Sequence, residues 1–304
     1  MKTVVFAYHN MGVLGITKLL EHGFQVPLVL THEDSASENI WFQSVARLCR
    51  DRDIEHAAPE NPNTREWAGR IAALEPDIIF SFYYRHMIGM EILRIPPLGG
   101  YNLHGSLLPA YRGRAPVNWV LVRGEEVTGV TLHEMVEKPD AGDIVDQERV
   151  AIGPEDTAVM LFAKMEKAAA RMLDRILPRM SRGEIPKRPQ DLSRGSYFGG
   201  RKPEDGRIAW GRSAREVFNL IRGVTRPYPG AFGFLHGRKV LFWWARPVDG
   251  ERLQPGLIAL EGEEVRIGTA SGVLVPLEIE EGGTVRTGRD IFVFFRPYEG
   301  ESMQ

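Results

Sequence analysis

Cysteine is nearly absent. Cys49 is the only one in 304 residues, which excludes an intramolecular disulfide framework and fits a reducing compartment. It falls in a helical pattern and reads as packing rather than as a nucleophile. No apolar run is long enough to cross a bilayer. No charge of one sign dominates: 38 Lys and Arg face 40 Asp and Glu, for a formal charge of −2. That balance gives no global basic field for nucleic acid. The start, MKTVVFAYHN, passes directly into a strand-like run without the zones of a secretory signal. Internal repeats and low-complexity tracts are missing as well. These absences predict a cytoplasmic protein with no membrane insertion and no nucleic-acid partner.

The chain is long enough for two domains with sizeable cores. Its 43% hydrophobic and 26% charged residues are those of a globular protein. Strand-like runs at 3–7, 26–31, 54–57 and 77–82 alternate with helical patterns at 13–22, 39–52 and 64–74. This alternation predicts a parallel sheet covered on both faces, an α/β Rossmann-like domain. Its first strand-to-helix turn, Tyr8-His9-Asn10-Met11-Gly12-Val13-Leu14-Gly15, lacks the Gly-x-Gly-x-x-Gly spacing that cradles a dinucleotide. A nicotinamide cofactor is therefore not expected. Residues 158–182 form a long amphipathic pattern. From Ala231 onward come short strands at 231–235, 238–246, 256–260, 264–268 and 273–279. Gly-rich turns between them predict a small, partly open β-barrel of OB-like type. A helix over 213–224 is capped by Ser213 with Glu216 three residues on. The expected organisation is a catalytic domain over 1–182, a linker over 183–200 and a barrel-like domain over 201–304.

The chemistry concentrates between Tyr101 and Asp140. Strand alternation sets Asn102 and His104 on one side, where a strand opens into a loop. Asp140 lies in the turn EKPDAGD between two β-like runs, and a hairpin there returns its carboxylate toward His104. An amide N–H stabilises an oxyanion, and an imidazole relays a proton. A neighbouring carboxylate orients that imidazole and is expected to raise its pKa. This trio suits acyl transfer to an amine. Taken singly each residue has an ordinary reading: a satisfied loop histidine, an asparagine capping a turn, an aspartate in a Pro-Asp-Ala-Gly turn. A metal site of His104, His133 and Asp140 is a further alternative, but it lacks compact ligand spacing, and no metal is expected. His133, alternating beside Thr131, reads as structural. His9, read as part of a loop after the first strand, does so too.

Asn102-Leu103-His104, Ser106-Leu107-Leu108-Pro109, Tyr111-Arg112-Gly113, Ala115-Pro116 and Asp140-Ala141-Gly142 together resemble the folate-dependent formyltransferase family. The resemblance implies transfer of a formyl group from 10-formyltetrahydrofolate, with Asn102, His104 and Asp140 catalytic. It implies a pterin site on His86, Met87 and Ile88, completed by Arg114 and by Val136, Glu137, Lys138, Pro139 and Asp140. An apolar slot with a few backbone hydrogen bonds suits a flat heteroaromatic ring. In the same stretch Phe80 and Phe82 alternate as core residues. Arg112 and Arg114 suit phosphate or the folate tail carboxylates, although Arg112 reads equally as a surface residue.

The family formylates initiator tRNA, a purine-pathway glycinamide, or nucleotide-linked amino sugars. Residues 201–304 hold 15 Lys and Arg against 14 Asp and Glu, without the electrostatic footprint of tRNA binding. The loop after the second strand, residues 31–39, is short and acidic where tRNA-modifying members are basic. Glycinamide-directed members consist of one domain. MKTVVFAYH, FSFYYRH, NWVLV and TGVTLH resemble the members acting on UDP-4-amino-4-deoxy-L-arabinose, a lipid A modification tied to polymyxin resistance. The expected acceptor is therefore a nucleotide sugar. Methionyl-tRNA formylation and a non-catalytic folate-binding module are the alternatives. Tyr197 and Phe198 are expected to face the base, and Arg201 the diphosphate, at the junction of the two domains.

Overall fold

The first five strands are short and pair in parallel, β1, β2 and β4 as mainly apolar runs. β1 (Lys2–Ala7), β2 (Gln25–Leu30), β3 (Glu55–Ala57), β4 (Ile78–Phe82) and β5 (Gly100–His104) lie in the order β3-β2-β1-β4-β5. Val4, Val5, Phe6 and Ala7 of β1 and Ile78, Ile79, Phe80 and Phe82 of β4 are fully buried, as strands covered on both faces must be. The structure is a computed structural model that describes residues 1–34 and 39–304. Part of the acidic loop noted above, residues 35–38, lies outside the described residues.

α1 (His9–Glu21), α2 (Val45–Asp51), α3 (Arg65–Ala73) and α4 (Met90–Leu93) connect these strands. Two elements differ from the periodicity. The expected loop at 8–12 is helix from His9, with Tyr8 as its N-cap and a Gly12 N–H to Tyr8 carbonyl bond of 3.0 Å. The glycines here serve close packing instead of a loop: a Cβ on Gly15 would sit 2.5 Å from the Phe82 ring. The helix expected over 39–52 begins only at Val45, where the Ser44 hydroxyl caps the Arg47 N–H. Trp41 and Phe42, upstream of that cap, instead pack on His9 with ring centroids 4.8 and 4.0 Å away.

Beyond β5 the chain forms β6 (Arg112–Gly113) and α5 (Pro116–Val122). β7 (Val127–Glu134) then runs antiparallel beside β5, and β8 (Ile144–Ala151) antiparallel beside β7. α6 (Ala158–Met180) and β9 (Tyr197–Phe198) follow. Two compact units result. One comprises residues 1–116, 127–151 and 162–199; the other comprises 117–126, 152–161 and 200–304. The polar stretch after α6 is tied to the first unit. Ile144 and Arg188 exchange backbone hydrogen bonds of 2.8 and 2.9 Å, and β9 pairs with β6.

In the second unit β10 (Ala231–Leu235), β11 (Arg238–Val248), β12 (Ile258–Glu261), β13 (Glu264–Gly268) and β14 (Val273–Glu281) form an antiparallel sheet in the order β10-β11-β14-β13-β12. The tail joins the two end strands. Gln304 and Phe234 exchange backbone hydrogen bonds of 2.8 and 2.7 Å, Met303 N–H donates to Gly256, and Ile258 N–H donates to Glu301. The sheet thereby closes into a small barrel. α7 (Ala214–Val224) packs Val217, Phe218, Ile221 and Val224 into its core, and its capping box joins Ser213 and Glu216. β15 (Thr284–Thr287) and α8 (Arg289–Phe295) were not anticipated. The α8 sequence, Arg-Asp-Ile-Phe-Val-Phe-Phe, is rich in β-formers, and Ile291 and Phe295, four apart, enter the core as a helix face. Among the described residues no helix is long and apolar enough to cross a membrane.

Candidate active site

The β5–β7 register assembles the site. Asn102 is directly opposite His133, and His104 opposite Thr131, so alternation gives all four residues one face. The His133 Nδ1–H donates to the Glu134 carbonyl at 2.8 Å. In the neutral ring Nε2 therefore holds a lone pair, which receives an Asn102 Nδ2–H at 3.2 Å. His133 thus fixes which way the Asn102 amide faces and leaves its second N–H unengaged by this bond. Its register with Asn102 adds a positioning contact to the structural reading of His133, a contact that one strand's alternation does not contain.

The turn between β7 and β8 brings Asp140 back. Its Oδ1 lies 3.6 Å from His104 Nδ1 and 3.4 Å from His133 Nε2. Its Oδ2 accepts the Gly113 N–H at 2.8 Å. The turn is held by Gln190, whose amide donates to the Asp140 and Gly142 carbonyls at 3.1 and 2.6 Å. Gly142 must be glycine here, since a Cβ would come within 2.1 Å of the Glu134 carbonyl oxygen.

The His104 ring is oriented by the backbone. Its Nε2–H donates to the Tyr111 carbonyl at 2.8 Å, while Ser106 Oγ donates to the Ala110 carbonyl at 2.6 Å. Thr131 Oγ1 binds the same loop, donating to the Ser106 carbonyl at 2.6 Å and accepting from Leu108 at 3.2 Å. Among the described residues eight non-glycine residues have positive φ, and Tyr83, Tyr111, Ala115 and Asp140 of these lie in or beside this region. Each such conformation costs about 1–3 kcal/mol and concentrates where geometry serves chemistry.

Burial dominates the electrostatics of His104. It pushes the imidazole below its ordinary 6.5; Asp140 and the Tyr111 carbonyl pull it up, and His133 pushes it down. Asp140 thus raises this pKa as expected, but desolvation is larger and the net shift is downward. Burial raises the Asp140 carboxyl, yet His104, His133 and the Gly113 N–H together hold it well below the usual carboxylate range. The site thus pairs a neutral imidazole with an ionised carboxylate and an aimed amide. Among the described residues no group of His, Cys, Asp or Glu is arranged to hold a metal.

The formyl transferase family model matches residues 1–177, and that of the formyl transferase C-terminal domain matches residues 201–294. The chain belongs to the formyl transferase family. Solved structures agree in fold. An N-formyltransferase from Helicobacter canadensis, in complex with folinic acid and dTDP-3-aminofucose, is 20% identical. It superposes with a TM-score of 0.70 over 91% of this chain and 98% of that one. WlaRD, a sugar 3N-formyl transferase solved with dTDP and 5-N-formyl-THF, is 18% identical. Its TM-score is 0.69 over 93% and 98%. Phosphoribosylglycinamide formyltransferase from Bacillus halodurans is 23% identical, with a TM-score of 0.51 over 59% of this chain and 97% of that one.

In this formyl transferase His86 and Met87 are exposed beyond the end of β4, and Ile88 is buried. Val136 and Pro139 are half-buried, and Glu137 and Lys138 are exposed in the Asp140 turn. Arg114 is exposed, its N–H donating to the Phe198 carbonyl at 2.9 Å. Arg112 is 8% exposed, which sets aside its surface reading. Its Nε and Nη1 have no hydrogen-bond partner among the described residues. Phe198 stacks on Tyr111 with centroids 5.0 Å apart, whereas Tyr197 is 59% exposed. In the second unit Arg201 lies 4.5 Å over the Trp119 ring and donates to the Asp205 carbonyl at 2.8 Å. His9 starts α1 amid aromatic rings, and burial, with Arg85 adding, lowers its pKa to about 3.

If His133 acts by aiming Asn102, His133→Phe should lower kcat about tenfold, the worth of one hydrogen bond. KM for folate should stay unchanged. Steady-state kinetics at saturating acceptor check this, and an unchanged kcat would leave His133 a packing residue.

Proposed function

We propose that this chain transfers the formyl group of 10-formyltetrahydrofolate to the amine of a nucleotide-linked amino sugar, with UDP-4-amino-4-deoxy-L-arabinose as the acceptor. One observation carries the reaction: Asn102, neutral His104 and ionised Asp140 within one buried cluster. The amine nitrogen bonds to the formyl carbon, and the carbonyl electrons move to oxygen. The Asn102 N–H not bonded to His133 stabilises that oxyanion. His104 Nδ1, unprotonated because Nε2 holds the ring proton, takes the proton lost by the amine. It delivers that proton to the folate N10 as the C–N10 bond breaks, leaving tetrahydrofolate and a formamide. Asp140 stabilises the imidazolium between these steps. The amine must arrive unprotonated.

The backbone at His86–Ile88, with Val136–Asp140, is assigned to the pterin, and Arg114 and Arg112 to anionic groups of the substrates. The residues fit this use. Ile88 N–H and C=O make no hydrogen bond among the described residues, so they are open to a heteroaromatic edge. The sugar acceptor is supported by the full-length match to two enzymes described with dTDP or a dTDP-sugar. It is also supported by the charge balance of residues 201–304. Exposed Tyr197 suits stacking on a base. Arg201, bonded to a backbone carbonyl rather than a carboxylate, retains charge for a phosphate.

The test is tetrahydrofolate release from 10-formyltetrahydrofolate with UDP- and dTDP-linked 3- and 4-amino sugars and with charged initiator tRNA. The expected result is turnover with the UDP-4-amino sugar at least about tenfold above the others, a preference worth about 1.4 kcal/mol. Turnover with a dTDP-sugar alone would replace the nucleotide. Salt-sensitive formylation of tRNA alone would replace the acceptor class. Folate binding without release to any acceptor would overturn the enzyme reading.

A further inference from the structure

The segment after β4 that the proposed function assigns to the pterin has no strand partner among the described residues. Two side chains from elsewhere hold it. At its start the Arg85 N–H donates to His32 Nε2 at 3.0 Å, and the His32 ring stacks on Tyr84 at 4.2 Å. At its end Asn63 makes two bonds. Its Nδ2 donates to the Met87 carbonyl at 2.8 Å, and its Oδ1 accepts the Gly89 N–H at 2.6 Å. A primary amide used this way copies one rung of a β-ladder. In extended chain, residues 87 and 89 direct their hydrogen-bonding groups to the same side, and residue 88 directs its own to the opposite side. Gly89 is extended, with φ −70° and ψ 153°.

Asn63 is itself anchored. Its N–H donates to Asn61 Oδ1 at 2.9 Å, and it immediately precedes Thr64, the N-cap of α3. The Ile88 side chain is buried and belongs to the apolar cluster that includes Val4, Phe6, Ile71 and Ile79. Side chain and backbone neighbours are thus both pinned, while the Ile88 N–H and C=O stay unengaged among the described residues. We propose that Asn63 is a positioning residue for folate. By clamping residues 87 and 89 it turns the donor and acceptor of Ile88 outward as a pair for the edge of the pterin. This rests on the assignment of His86–Ile88 to the pterin. Asn63 is exposed, so its replacement removes no core packing.

The experiment measures the affinity of Asn63→Ala and Asn63→Asp for 5-formyltetrahydrofolate by calorimetry, together with kcat and both KM values. Asn63→Asp keeps an acceptor for Gly89 but sets a carboxylate against the Met87 carbonyl. Both variants are expected to bind folate about tenfold more weakly, the effect of two exposed hydrogen bonds. KM for the acceptor and kcat at saturating folate should stay within about twofold. A purely structural contact at the start of α4 would change thermal stability without that split. Hydrogen exchange of wild-type residues 84–89 separates the two levels of the argument. Folate binding without protection there would overturn the pterin assignment and the clamp with it. Protection in wild type with unchanged folate affinity in both variants would overturn the clamp alone.

Discussion

Replacing Asn102 by Ala is expected to lower kcat by about 10²–10³-fold, the usual loss when one oxyanion donor is removed. The amide nitrogen has two protons. One is bonded to His133, so the effect depends on the other, which meets charge only as the tetrahedral intermediate forms. That makes the contribution one to the transition state, and KM for folate should hardly move. Asn102→Asp is the sharper variant. It keeps the volume but puts an acceptor and a negative charge beside Asp140, and turnover should fall at least as far as with Ala. Asn102 is half-buried in the middle of β5 and absent from the apolar clusters, so both variants should fold. Steady-state kcat with calorimetric folate affinity tests this. A kcat within about threefold of wild type in both variants would remove Asn102 from the chemistry.

Alternation along one strand made Asn102 and His104 legible, and the turn residues around Asp140 predicted the hairpin that returns its carboxylate. These are local signals. The contact of His133 with Asn102 was not legible, because alternation within β7 says which face it occupies, not which residue stands opposite. Only the pairing of Asn102 with His133 supplies that, and register arises between strands. The net downward shift of His104 was not legible for a related reason. A carboxylate in the sequence announces itself, whereas desolvation depends on every element packed around the ring. In the second unit, strand runs and the Ser213–Glu216 cap were readable. The closing of the barrel by Glu301–Gln304 was not, since nothing local marks four residues as the bridge between β10 and β12. Asn63 had no signal at all: its two bonds join positions 24 and 26 residues away.

His104→Ala is expected to lower kcat by about 10²–10⁴-fold, the range for a positioned acid–base group. The reasoning turns on which nitrogen is free. Nε2 is committed to the Tyr111 carbonyl, so proton transfer falls to Nδ1, the atom facing Asp140. Burial lowers the pKa of this histidine below 6.5. The neutral form, which accepts a proton, therefore persists as pH falls through 6.5 and is lost only further into acid. Asp140 is the larger of the two influences that raise this pKa. Asp140→Asn should consequently move the His104 titration to still lower pH. It should also cost turnover, because the imidazolium formed during transfer loses its counter-charge. A group merely needing protonation would behave oppositely, gaining from the carboxylate and weakening as pH rises. NMR titration of the His104 ring in the wild-type and Asp140→Asn proteins, alongside kcat for His104→Ala, distinguishes these. A His104 midpoint above 6.5, or one that rises in Asp140→Asn, would contradict the burial argument. A kcat in His104→Ala close to wild type would mean that proton transfer runs through another group.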